Sequence, residues 1–295
     1  MKFFSTLCNL LICVMAPGPT TDYCFLTCHY SYFTTHIVCN RLHSCPKPKK
    51  CEMYQANKQW REIMLHILND ARNGAANGSK KFNFGNTGAK NMYALSYDIE
   101  LEYIITCVLN DCNPGPWDGC LQTIRFTPYG FGIIWYALWE FDMTLWRSIT
   151  KFPDGEIINF NPETDEGMRN PLKYGDKYHH FKVLYAWNAK YVGCTAVKRQ
   201  KEKETQISCL IGPGIDKKGD IIYKVAKHPN EIASECEEGR NRKYPALCGN
   251  IDEVSAEEMW SNLNITFNSS GKMFHVDKLC RSIMIYLFIC TLFEI

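Results

Sequence analysis

The sequence predicts an α+β fold stapled by disulfides. Three observations carry that expectation. Two segments in the first 112 residues show helical apolar spacing. Short β-branched and aromatic runs dominate after Phe181. Sixteen cysteines follow or fall within a secretory-type N-terminus. Helices early and antiparallel strands late indicate a layered α+β domain.

The elements follow in chain order. Met1 to Thr20 reads as a signal peptide: Lys2 supplies positive charge, Phe3 to Met15 a short apolar run, and Ala16 to Thr20 small or turn-forming residues. The run is too short for a comfortable membrane span. Residues 21–55 form a cysteine-rich leader carrying Cys24, Cys28, Cys39, Cys45 and Cys51, with a Pro-Lys-Pro-Lys-Lys turn near its end. Trp60, Ile63, Met64, Ile67, Leu68 and Ala71 then recur at i, i+3, i+4, i+7, i+8 and i+11, one buried face of a helix. Gly74 and Gly78 are its candidate terminators. Asp98 is a good N-cap for a second helix striped by Leu101, Ile104, Ile105, Val108, Leu109 and Cys112. Asn113-Pro114-Gly115-Pro116 breaks it.

The aromatic stretch from Gly130 to Phe152 reads as a buried helical or mixed region, and 153–178 as a polar loop. Three strand-like runs follow, FKVLYAW, YVGCTAV and QISCLIG, the last two joined by a lysine-rich hairpin at 198–204. The alternating charges of Lys198 to Glu204 are those of a solvated hairpin. No internal repeat is present.

Composition bounds the function. Hydrophobic residues make up 46% of 295, enough to bury a core. The formal charge is only +2, from 33 basic and 31 acidic residues, which gives no basis for a nucleic-acid partner. Cysteines in a secreted chain pair rather than bind zinc or act as nucleophiles, so the Cys39, His43, Cys45, Cys51 spacing reads as bridges. Asn77, Asn264 and Asn268 head three glycosylation sequons. At the C-terminus, Asn268 to Gly271 is a run of small residues, Lys272 to Arg281 a spacer, and the last fourteen residues are mostly apolar. That layout is that of a GPI-anchor signal. The other reading is a hydrophobic tail packed on the domain.

Six segments in order carry a family resemblance. They are Asp22-Tyr23-Cys24 with Cys28 and Cys39; Leu68-Asn69-Asp70-Ala71-Arg72; Ala89-Lys90-Asn91-Met92 with Leu95, Tyr97 and Asp98; His180-Phe181 with Gly193-Cys194; Cys209 to Gly214; and Tyr244-Pro245-Ala246-Leu247-Cys248. Together they resemble the CAP superfamily of cysteine-rich secretory, antigen 5 and pathogenesis-related proteins, nearest to arthropod venom allergen (antigen 5)-like members. The match extends over roughly residues 22–250. The resemblance implies an α-β-α sandwich around a three-stranded antiparallel sheet. It implies the bridges Cys24–Cys39, Cys28–Cys120, Cys194–Cys209 and Cys236–Cys248, with Cys112 joined to Cys45 or Cys51 and Cys107 to the remaining leader cysteine. The organisation is then a signal peptide at 1–20, a leader at 21–55, a CAP (SCP) domain at 56–225, a cysteine-containing extension at 226–252, and a polar linker with apolar tail at 253–295.

The family's central cleft carries two histidines and two acidic or amide residues that can hold a divalent metal. In this sequence those positions hold Leu68, Phe131, Ser148 (or Ile149) and His180. One remaining ligand is too few for a metal. His66 lies two residues from Leu68, a helical rotation of about 200°, and His179 faces opposite to His180 on a strand. Glu140 and Asp142 are the nearest carboxylates in sequence. The expectation is a degenerate cleft of His180, Leu68, Phe131 and Ser148 with no catalytic residue, no metal and no cofactor. The expected function is a secreted non-enzymatic protein acting by surface recognition or by binding a lipid or sterol. Its partner is then an unidentified extracellular protein or apolar ligand, and it touches membrane only through a C-terminal anchor. The competing reading is a hydrolase or protease using His180 with a carboxylate.

Overall fold

Asn57 starts the first long helix. Its side chain accepts the Trp60 N–H at 2.8 Å, the bond an N-cap makes. The computed structural model describes residues 23–28, 35–41, 45, 51–54, 56–78, 88–112, 119–135, 167–169, 183–199, 204–215 and 220–252. Its helices are α1 (Ile37–Asn40), α2 (Lys58–Ala76) and α3 (Ile99–Val108). Its strands are β1 (Glu52–Met53), β2 (Gly88–Ala89), β3 (Ser96–Tyr97), β4 (Tyr129–Trp135), β5 (Gly167–Arg169), β6 (Tyr191–Arg199), β7 (Glu204–Gly212) and β8 (Ile221–Ala226).

The central layer is antiparallel β6–β7–β4, with β6 and β7 forming a hairpin paired from Tyr191–Gly212 to Arg199–Glu204. Two short strands extend the expected three, both on the outer edge of β6. Parallel β3 pairs at Tyr191 and Val192, and antiparallel β1 at Val197 and Lys198. A second small sheet runs β2–β8–β5. Alternation along β6 and β7 sorts side chains to two faces. Val192, Cys194, Ala196, Ile207, Cys209 and Ile211 join the core under α2. Val197 and Leu210 join the core under α3. The result is the α-β-α layering that the resemblance implies.

The helix under the first core matches its sequence stripe, with two adjustments. Ile63 lies at the stripe's edge and is exposed, and α2 runs through Gly74 to end at Ala76. Met64, Leu68 and Ala71 are fully buried. Asp98 caps α3 by accepting the Leu101 N–H. Gly193 lets α3 lie flat on β6: a Cβ there would sit 2.1 Å from the Glu102 nitrogen.

Two local readings change. The start of the aromatic region is strand β4, paired along its whole length with β7, not helix. In FKVLYAW, residues 183–185 form a helical turn rather than a strand. Both segments are apolar on all sides, which removes the periodicity that would distinguish helix from strand.

Asn69 and Arg72 lock α2 to the chain passing beneath it. The Asn69 side-chain amide exchanges two hydrogen bonds with the Leu95 backbone, at 2.9 and 2.7 Å. Arg72 is fully buried and donates to the carbonyls of Tyr93, Leu184, Ala186 and Ala189. Among the described residues no carboxylate pairs with it. Burial lowers its pKa to about 9.

Among the described residues, six disulfides complete the frame: Cys24–Cys39, Cys28–Cys120, Cys45–Cys107, Cys51–Cys112, Cys194–Cys209 and Cys236–Cys248. Of the alternatives for Cys112, the structure takes Cys51 and gives Cys45 to Cys107. Tyr23, Ile37 and Val38 of the leader share one buried cluster with Ile104 and Ile105 of α3. The leader is thus sewn and packed onto that helix. Each bridge adds about 2–4 kcal/mol through the unfolded chain.

Replacing Arg72 with Met leaves buried carbonyls without donors, each worth about 1–3 kcal/mol before relaxation. We expect Arg72→Met to lose about 3–5 kcal/mol, read as a fall in the denaturant midpoint. Arg72→Lys recovers only part of the loss, because one ammonium cannot span the same carbonyls.

Candidate functional site

Leu68 is the one residue of the expected cleft whose side chain is described. It is fully buried, in the core beneath α2. The backbone of Phe131 lies on β4 opposite Cys209. His180, Ser148, Ile149, Glu140, Asp142 and His179 lie outside the described residues, as do the terminal segments with Asn264 and Asn268. His66 is exposed, with Nδ1 2.8 Å from the Tyr244 hydroxyl. It faces the C-terminal extension, away from Leu68. Cys39, Cys45 and Cys51 are all in disulfides, so they form no zinc cluster with His43, which lies outside the described residues. Among the described residues no group of three His, Cys, Asp or Glu side chains is placed to hold a metal. No described helix is long and apolar enough to cross a membrane.

The first turn of α3 carries a buried ionic cluster. Asp98 and Glu100 share the Arg125 guanidinium, which is 3.5 Å from Glu100 and closer to Asp98. The two carboxylates are 1% and 3% exposed. The Arg125 guanidinium also lies 5.1 Å from the Phe126 ring and 4.8 Å from the Tyr191 ring, two cation–π contacts. Tyr23 of the leader donates to Glu100 at 3.4 Å. One turn on, Arg61 grips Glu102 with two 2.8 Å bonds. The Tyr97 hydroxyl donates to the same carboxylate at 2.7 Å and accepts the Cys194 N–H at 3.2 Å. It thereby fills the edge of β6 between β3 and β1. Tyr97 stands where the resemblance has Trp, and its hydroxyl makes both bonds. Sequence reading saw Asp98 as a cap alone, because Arg61 and Arg125 are remote in the chain.

An open cleft of about 580 Å³ lies among the described residues. Tyr93, Trp187, Asn188, Ile215, Glu235 and Glu237 are among its walls. Trp187 is 36% exposed, yet its backbone is fixed on both sides. Its N–H donates to Ile222 O at 2.7 Å, and its carbonyl accepts the Tyr93 N–H at 3.1 Å. The Asn188 amide donates to Gly214 O. Lys190 sits 4.1 Å over the Tyr93 ring and bonds Glu238, and Lys224 pairs with Glu235. Sequence reading missed this cleft, since its walls come from chain positions spread over 91–237. The only local signal was Trp187, which sat unremarked in an apolar run.

No protein-family model matches the sequence, and no curated protein matches it. Solved structures do. NaASP2, solved with Zn2+, is 18% identical and has a TM-score of 0.46, over 65% of this chain and 96% of that one. BmVAL-1 is 16% identical with a TM-score of 0.48, over 67% and 97%. The hookworm platelet inhibitor is 14% identical with a TM-score of 0.42, over 68% and 97%. Na-ASP-1 is 18% identical with a TM-score of 0.44, over 60% of this chain, which spans 42% of that one.

The ionic cluster makes stability depend on pH. Burial, then the Asp98 charge, raises the pKa of Glu100 above its ordinary value of 4.5. A carboxyl raised in the folded state favours folding while it is protonated. That contribution is complete below its unfolded value and is lost as pH rises through its folded value. We therefore expect Glu100→Gln to melt above the wild type at pH 7. The gap should close below about pH 4.5, the usual range of an unfolded Glu, as followed by thermal unfolding across pH.

Proposed function

We propose that this chain is a secreted, non-enzymatic protein of the CAP type that recognises an extracellular partner through the cleft at Trp187. The family assignment rests on six ordered segments whose residues have identifiable structural duties. Asn69 and Arg72 tie α2 to the loops beneath it. Gly193 admits α3, and Cys194 bridges Cys209 on the facing strand. Secretion is supported by twelve cysteines in six bridges.

The observation that carries the recognition reading is Trp187. An indole held outward on a backbone bonded at both sides loses little freedom on binding. Tryptophan is among the residues most often found at the energetic centre of an interface. The cleft beside it mixes apolar walls with carboxylates and amides, which suits a protein surface better than an aliphatic ligand. Leu68, one of the residues that made the expected cleft apolar, is packed within the core.

Two measurements test this reading, the first on engineered full-length protein and the second on protein purified from its native secretion. A photo-crosslinking residue in place of Glu237, on the cleft wall, should capture a single extracellular protein, and Trp187→Ala should weaken its binding at least tenfold in a variant that still folds. Organic extraction with mass spectrometry should release no stoichiometric lipid. A lipid present at one per chain overturns the proposal in favour of apolar-ligand binding.

A further inference from the structure

We infer that Asn77 carries an N-linked glycan, an assignment that rests on the secretion reading above. Asn77 closes α2 as its C-cap. Its backbone N–H bonds Asn73 O at 2.9 Å, so the helix end is satisfied by main chain. The side chain does no part of that work. Asn77 is exposed, and among the described residues none bonds its amide. Gly78 follows at φ 68°, the left-handed conformation that glycine adopts without a Cβ penalty. Its backbone N–H bonds Ala75 O at 3.0 Å, which closes the helix end. The sequence Asn77-Gly78-Ser79 meets the acceptor requirement, with a residue other than proline in the middle and a hydroxyl third.

The geometry separates the glycan from the core. Asn73, one turn back, faces inward enough for its side chain to accept the Ala246 N–H at 3.0 Å. Ala75 and Ala76 are buried. Asn77 is thus the first residue past the buried end of α2, and among the described residues nothing occupies the space a bulky group on its exposed amide would take. The transfer needs an oligosaccharide on a polyprenyl pyrophosphate. The Asn77 amide nitrogen attacks the sugar's C1. A C1–N bond forms, the C1–O bond breaks, the pyrophosphate leaves with the electron pair, and the amide gives up one proton. Ser79 serves acceptor recognition and is not itself modified.

The test uses the full chain expressed in insect cells and collected from the medium. N-glycosidase treatment in heavy-oxygen water, followed by peptide mass spectrometry, should place a heavy-oxygen aspartate mark at position 77. The mark should vanish in Ser79→Ala and persist in Ser79→Thr. Asn77→Gln should be secreted and melt as the wild type does. Secreted protein with no mark at position 77 overturns the glycan and leaves secretion standing. Protein retained unmodified in the cytosol overturns both.

Discussion

A guanidinium with no opposing carboxylate among the described residues holds the described core together. Arg72 is fully buried, and backbone carbonyls solvate its charge in place of water. Those carbonyls belong to segments 21 to 117 residues away. The arrangement is costly to leave incomplete, because a buried charge or carbonyl without a partner loses its full hydration. It therefore sets where the loops at 93 and 184–189 must lie. Asn69, one turn earlier on the same face, fixes Leu95. From these two anchors follow the start of β3, the cap at Asp98 and the seat of α3.

The second face repeats this logic with paired charges. Glu102 is gripped by Arg61 and Tyr97, and Tyr97 reaches the edge of β6. Asp98 and Glu100 hold Arg125 and the loop around it. Gly193 sets how near α3 can come, and that closeness brings the cluster against the sheet. The disulfides add to this frame chiefly by restricting the unfolded chain, and four of the six tie or close the leader.

Trp187 gains its character from the same frame. The loop from 184 to 189 supplies three carbonyls to Arg72. With its backbone so constrained, this loop presents one large aromatic side chain to solvent. The recognition surface proposed at Trp187 inherits the rigidity of the core beneath it.

The sequence by itself determined the helices α2 and α3, the Asp98 start of α3, the β6–β7 hairpin and the layered α+β class. These depend on spacing and caps within a few residues, where side-chain period and backbone geometry are coupled directly. It could not separate helix from strand at 129–135 or 183–185, where apolar residues on every side erase the period. Nor could it find the partners of Arg72, the two arginines that serve α3, or the exposure of Trp187. Those were decided by tertiary structure alone. A buried polar group takes whatever acceptor the fold brings within 3 Å, and nothing local in the chain encodes which remote backbone that is.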